Sequence, residues 1–314
     1  AFFLLGTAIS VLRSKGHHIS PEESTAAHAA IIMHDIGHGP FSHALEQTLI
    51  EDLGHEDISQ IKKKRLNQHF DGRLSNAINV FKGENPKLYL HQLVSSQLDM
   101  DRLDYLKRDS FFSGVSEGVI GSDRIIKMLN IHNNELVVEA KGIYSIEKFL
   151  VARRLMYWQV YLHKTALVAE KMLINVLKRA KELSLDGKEV PAPPFLSTFL
   201  KQRFSSQDFL SNPKFLDDFT QLDDHDIMNA LKQWRNHPDR VLSRLSCDLL
   251  DRNLLGIEIS ETPYPPTQVE ALKKEYAPMP GLSDEELDYF IFTDYISNSA
   301  YNPGQENINI LYRD

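Results

Sequence analysis

The 314-residue chain has one cysteine, two tryptophans and no long uninterrupted apolar run. The lone Cys247 excludes an intramolecular disulfide and a zinc ribbon, and it suits a reducing cytoplasm. Burial as an inert small hydrophobe is the expectation for it. The apolar opening "AFFLLGTAISVL" lasts only a dozen residues. That is too short to span a bilayer, and it lacks the basic leader and cleavage pattern of a signal peptide, so no membrane partner is expected. Repeats, heptad runs and low-complexity tracts are also lacking. So is excess positive charge, the formal net charge being −8. This argues against a broad nucleic-acid-binding surface and leaves only local basic clusters such as Lys62 to Arg65. An anionic ligand must therefore be met by a local pocket.

What is present can build a core: 42% of the residues are apolar and 25% charged, enough for one large or two modest globular domains. Most of the chain has helical periodicity. Ser20-Pro21-Glu22-Glu23 reads as a capping box with proline at the first helical position, and the helix it starts is expected to run towards Asp35. Ala27, Ala30, Ile31 and His34 share one face of it. Gly37, Gly39 and Pro40 then break the pattern, and residues 41–53 can form another helix. Further helices are expected over 73–82, 88–110 and 122–130, with a long helix or helix pair over 145–183. "NNELVVEAKG" is the clearest strand. "DGKEVPAPPF", residues 186–195, is the best internal boundary. Beyond residue 253 the runs "GIEIS", "YFIFTDYIS" and "NINILYRD" suggest short strands. The expected fold is mainly α, with a helical core over 1–185, a helical extension over 186–252 and a small C-terminal α/β segment over 253–314, the core carrying a small β-hairpin.

Three stretches carry chemistry. "IIMHDIGHGPFSH" places His34 beside Asp35 at a helix end. Neighbours on a helix project about 100° apart, so both can reach one point only beyond that end, and a metal ion would satisfy the geometry. Imidazole with carboxylate suits Mn, Fe, Zn, Ni or Co, whereas Mg prefers more oxygen. A helix-end hydrogen-bond pair is the plain alternative. "SSQLDMDRLDYLKRDS" aligns Asp101, Tyr105, Arg108 and Asp109 on one helical face. "VARRLMYWQVYLHKT" aligns Arg153, Tyr157, Tyr161 and Lys164 at steps of four, four and three. Two cations separated by two aromatic rings can cradle a polyphosphate and a flat base. A second His-Asp pair, His225-Asp226, follows an acidic lead-in and reads as a helix start capped by Asp223 or Asp224.

"HDIGHGPFSH" together with "LDMDRLDYLKRDS" resembles the HD-domain phosphohydrolases, in particular the deoxynucleoside triphosphate triphosphohydrolase branch. That branch includes bacterial dGTPases and the vertebrate dNTPase with a sterile-alpha-motif domain. The resemblance covers roughly residues 1–185 and implies an HD-domain helical core holding one divalent metal ion (Mn, Fe, Ni, Zn, Co or Mg). It maps the metal ligands onto His34, Asp35 and Asp101, with Asp101 preferred to Asp99 or Asp104. The first family ligand belongs to an Arg-x-x-His motif, which the resemblance places a few residues before Ala1; His17, His18 and His28 lie too close to His34 to match. The same likeness implies that His38, His43 and His55 surround the scissile phosphate, with Glu46 as their acidic partner. Tyr105 and Asp109 would face the sugar 3′-hydroxyl, Arg153 and Lys164 would clamp phosphate oxygens, and Tyr161 and His163 also match the family, Tyr161 being expected near base or sugar; Tyr157 is a substrate-binding candidate from the cradle read along the helix. Arg102 stands where some relatives have lysine.

The reaction implied is hydrolysis of a deoxynucleoside triphosphate to deoxynucleoside and tripolyphosphate, with His43 the first choice for general acid. Alternatives are an HD phosphohydrolase acting on a monophosphate, cyclic nucleotide or alarmone, and a nucleotide- or nucleic-acid-binding scaffold. The implied partners are the nucleotide substrate, a nucleotide activator and further copies of the chain.

Overall fold

The computed structural model describes residues 1–42, 48, 50, 55–276, 282–296 and 307–312. Contacts group the chain into two compact units, one from residues 1–36, 62–163 and 297–314, the other from 37–61 and 164–296. Both units are discontinuous in sequence, unlike the three contiguous segments expected.

The first unit opens with α1 (Phe2–Ser14), whose Leu5, Ala8, Ile9 and Leu12 form a fully buried stripe at helical spacing. α2 (Pro21–Ile32) starts at the expected capping box: the Glu23 amide donates to Ser20 Oγ at 3.2 Å and the Ser20 amide to Glu23 Oε2 at 2.8 Å. Its buried face is Ala26, Ala27, Ala30 and Ile31, small enough for close packing against neighbouring helices. The helix ends at Ile32, so His34 and Asp35 lie in the turn beyond it. α3 (His55–His69) enters this unit at Lys62, and α4 (Ser75–Lys82) and α5 (Leu88–Val94) follow.

The single helix expected over 88–110 is two. α5 stops at Val94, and α6 (Met100–Ser113) starts afresh because Asp99 caps it, accepting from the Arg102 amide at 2.7 Å and the Ser96 amide at 3.0 Å. α7 (Ser122–Met128) leads into the hairpin of β1 (Leu129–His132) and β2 (Glu135–Glu139). Asn133 and Asn134 turn it with φ of 49° and 68°, the left-handed pair that a two-residue hairpin turn of type I′ needs. β3 (Asn309–Leu311) adds to β2 in parallel, giving a sheet of order β1-β2-β3. Lys15 Nζ ties α1 to this sheet, donating to the Lys127 and Leu129 carbonyls and to Glu139 Oε1. α8 (Ile143–Met156) passes into a π-helical turn over Tyr157–Tyr161, closed by Leu162 N donating to Tyr157 O at 2.6 Å.

The second unit is built on α9 (Lys164–Leu185), with α10 (Pro194–Leu200), α11 (Ser206–Ser211), α12 (Pro213–Gln221), α13 (Asp224–Trp234) and α14 (Arg240–Leu250). Phe199, Phe204, Phe209, Phe215 and Phe219 pack edge-to-face and tilted at its centre. Trp234 Nε1 donates to Pro191 O at 2.7 Å, which anchors the proline-rich connection. α13 is capped by Asp223, so His225-Asp226 is a helix start as expected. α15 (Pro266–Tyr276) and α16 (Asp284–Leu287) complete it.

The protein is mainly α, with a small hairpin, as expected. Three further local expectations differ. Phe41 and Ser42 occupy a turn with φ of 49° and 44°, so no helix starts there, and most of the stretch to residue 53 lies outside the described residues. "GIEIS" and the described part of "YFIFTDYIS" form no strand, whereas residues 309–311 do because β2 offers them an edge; β-propensity acts only where a ladder partner exists. Cys247 is half-buried rather than enclosed, with Sγ 3.7 Å from Arg235 O. Among the described residues no helix is long and apolar enough to cross a membrane.

Candidate metal and nucleotide site

The end of α2 orients His34. Its Nδ1 lies 2.6 Å from Ile31 O, and a carbonyl can only accept, so Nδ1 carries a proton. The other nitrogen, Nε2, is buried and makes no aligned hydrogen bond. It faces Asp35 Oδ2 at 2.9 Å and Asp101 Oδ2 at 3.4 Å. Burial disfavours a charged ring, but Asp101 and Asp35 override it and push the imidazole pKa up to about 10. Two carboxylates around one ring nitrogen thus call for positive charge at that point.

The donor set fits a borderline divalent ion: one imidazole nitrogen whose tautomer a backbone carbonyl sets, and two carboxylates. Among the described residues no group of three or more His, Cys, Asp or Glu side chains is placed so that it could hold a metal ion. What the geometry shows is two carboxylates beside one imidazole nitrogen; their role as metal ligands is what the resemblance implies. Asp99, the nearby alternative, faces away into its cap and the Arg102 side chain.

α6 displays the remaining groups of the second stretch. Arg102 Nε is held by Ser96 O at 2.6 Å and Asp99 Oδ2 at 3.0 Å. Burial opposes its charge, but Asp99 and Tyr105 raise its pKa further. The Tyr105 ring meets Tyr161 edge-on at 6.1 Å, and Tyr161 meets Tyr157 at 5.3 Å, making a chain of three tyrosines. Tyr161 donates its hydroxyl to Asp109 Oδ2 at 2.6 Å. Burial and that carboxylate both raise the Tyr161 pKa, while burial raises that of Tyr105 against the pull of Arg102. Arg108 is not one of this group: it is exposed and pairs with Asp104 at 2.8 Å.

Arg153, on α8, is only 2% exposed and donates from Nη1 to Gln97 Oε1 at 3.0 Å. The single face expected for Arg153, Tyr157, Tyr161 and Lys164 is interrupted. The π turn inserts extra backbone, and the chain leaves helical geometry at Leu162 and His163 before α9 begins at Lys164. His163 is exposed in the first unit, and Lys164 belongs to the second.

His38 is half-buried in the second unit. His43 and Glu46 lie outside the described residues, as does the His55 side chain, although His55 opens α3. Gln97 was not singled out in the sequence, although it lies inside the quoted stretch "SSQLDMDRLDYLKRDS"; its burial appears only in the fold. A cavity of about 380 Å³ in the second unit is lined mainly by apolar residues, including Ala169, Leu173, Met228 and Leu250, and contains none of the candidate ligands.

The model of the HD associated region matches residues 120–191. A crystal structure of a phosphohydrolase from Bacteroides thetaiotaomicron is 51% identical, with a TM-score of 0.95, over 99% of this chain and 77% of that one. The uncharacterized protein YwfO of Bacillus subtilis is 28% identical over 88% of this chain, which spans 63% of the length of YwfO. A Dictyostelium discoideum protein named deoxynucleoside triphosphate triphosphohydrolase SAMHD1 homolog is 27% identical over 52% of this chain and 35% of its own length. With half its residues shared with a phosphohydrolase along nearly its whole length, and a match to the HD associated region over residues 120–191, the chain belongs to the HD-domain phosphohydrolase superfamily.

Proposed function

We propose that the protein hydrolyses deoxynucleoside triphosphates to deoxynucleoside and inorganic tripolyphosphate, in the cytoplasm, with one divalent metal ion. The observation that carries this reading is a pair of neighbouring features in one unit. Asp35 and Asp101 converge on His34 Nε2, and the helix that supplies Asp101 also presents Tyr105 and Asp109 to the tyrosine chain. The name of the Dictyostelium relative agrees with it.

A triphosphate carries about four negative charges, so attack by water needs charge neutralisation and alignment. A metal held by His34, Asp35 and Asp101 would supply Lewis acidity and an activated water. Arg153 binds phosphate oxygens through its planar fork, with Lys164 the second cation that the resemblance implies. Asp109 accepts from the 3′-hydroxyl of the sugar, and Tyr105 and Tyr157 flank sugar and base with their ring faces and edges. Water oxygen bonds to the α-phosphorus and gives up a proton to solvent, the bond from that phosphorus to O5′ breaks, and a histidine protonates O5′ as it leaves and is reprotonated from solvent. We assign that proton to His43, with His38 and His55 as the other members of the set and Glu46 as their acidic partner.

The test is product analysis. The protein is incubated with Mn²⁺ and a panel of deoxynucleoside triphosphates, monophosphates, cyclic nucleotides and guanosine alarmones, and phosphorus NMR identifies what is released. Tripolyphosphate with free deoxynucleoside is the expected result. Release of orthophosphate alone, or turnover of monophosphates only, would exclude the reading.

A further inference from the structure

The turn between α5 and α6 holds two arginines by different means. Arg102 meets the Asp99 carboxylate and the Ser96 carbonyl, so its positive charge is matched by a negative one. Arg153, fifty-six positions away, meets the side-chain oxygen of Gln97, a dipole with no net charge. Gln97 is 8% exposed and Arg153 2%, so the contact is shielded from water. The turn is firmly set: Asp99 accepts from two amides, the Leu98 amide donates to Ser96 Oγ at 3.1 Å, and the Leu98 side chain is buried. Gln97 therefore projects from a fixed backbone.

We propose that Gln97 is a positioning residue for the polyphosphate subsite, setting the direction of the Arg153 guanidinium without adding a counter-charge. An arginine that must recognise several phosphate oxygens needs a defined fork direction. A carboxylate at position 97 would give the same direction but oppose every anion that approaches. A neutral amide separates the two effects. Whatever else Arg153 touches, this contact contributes orientation and no formal charge. The inference rests on reading the site as one for polyphosphates, and Gln97 acts through Arg153 rather than on substrate.

The experiment titrates the full chain with inorganic phosphate, pyrophosphate and tripolyphosphate by calorimetry. Wild type is compared with Gln97→Glu, which keeps the shape, and Gln97→Met, which keeps the volume and removes the acceptor. Gln97→Glu is expected to fold with an unchanged or higher Tm and to bind tripolyphosphate on the order of tenfold more weakly. The loss should grow with the number of phosphates, a trend that a purely structural role would not produce. Gln97→Met weakens binding through lost orientation; if it fails to fold, Gln97→Glu still decides. Wild-type affinity in Gln97→Glu, or an equal loss for all three anions, would overturn the proposal, as would a wild type that binds none of them while turning over nucleotide. A Gln97→Glu loss in a protein that releases no tripolyphosphate from any deoxynucleotide would instead sink the functional reading and keep the positioning role.

Discussion

Replacing Asp101 by asparagine removes one charge and almost no volume, and it tests the metal assignment most directly. Asp101 Oδ2 stands 3.4 Å from His34 Nε2. At an effective dielectric constant of about 20, a unit charge pair at that separation is worth about 5 kcal/mol before desolvation is subtracted. Allowing half of that for desolvation leaves about 2.5 kcal/mol, which is on the order of a hundredfold in cation affinity. The assay is metal content after equilibration with limiting Mn²⁺, together with competition against a fluorescent chelator, so activity is not the readout. Asp99→Asn is the control. Asparagine caps a helix about as well as aspartate, so that variant loses the ion pair with Arg102 and some thermal stability while retaining metal. Full metal affinity in Asp101→Asn, or selective loss in Asp99→Asn, would refute the argument that Asp101 is the ligand.

Asp109→Ala should lower kcat/KM for deoxynucleoside triphosphates by on the order of tenfold to a hundredfold, with a much smaller change for 2′,3′-dideoxy analogues, because a hydrogen bond to a charged acceptor is lost only when the 3′-hydroxyl is present. Steady-state kinetics on the matched pair checks it. Glu139 has its pKa pulled down to about 2 by Lys141 and Lys15. Its contribution is complete above the ordinary carboxylate value and is lost as pH falls through about 2, so urea midpoints of wild type and Glu139→Gln should differ at pH 7 and converge in strong acid. Gly118→Ala places a methyl 2.7 Å from Ser110 Cβ, 2.8 Å from Met156 Sδ and 3.0 Å from the Leu106 carbonyl. The expected cost is about 1–3 kcal/mol, seen as a lower Tm, because the backbone oxygen cannot move aside.

Much of the site could be read along the chain because its groups are local. The capping box at Ser20 places α2, and just beyond the end of that 12-residue helix the chain presents His34 and Asp35 with no long-range help. Arg108 shows the limit of that logic: it shares helical spacing with Asp101 and Tyr105, yet Asp104 one turn away takes it to the surface. Periodicity gives a face, and the neighbours decide which members of the face are turned inward. The break at Ser95–Asp99 was hidden for a related reason. The leucines on either side keep helical spacing, so the pattern looks continuous, while the Asp99 cap depends on bonds that spacing does not reveal.

The sequence by itself determined the helical character of the chain, the hairpin at Asn133-Asn134 and the identity of the His-Asp turn, since capping, turn chemistry and motif spacing act over a few residues. Only the tertiary structure decided how near Asp101 comes to His34, that Tyr161 donates to Asp109, and that Gln97 holds Arg153. Those contacts join residues that are dozens of positions apart. Their geometry is set by how α2, α6 and α8 are held around a shared core, and by the π turn that shifts the tyrosines out of simple helical register.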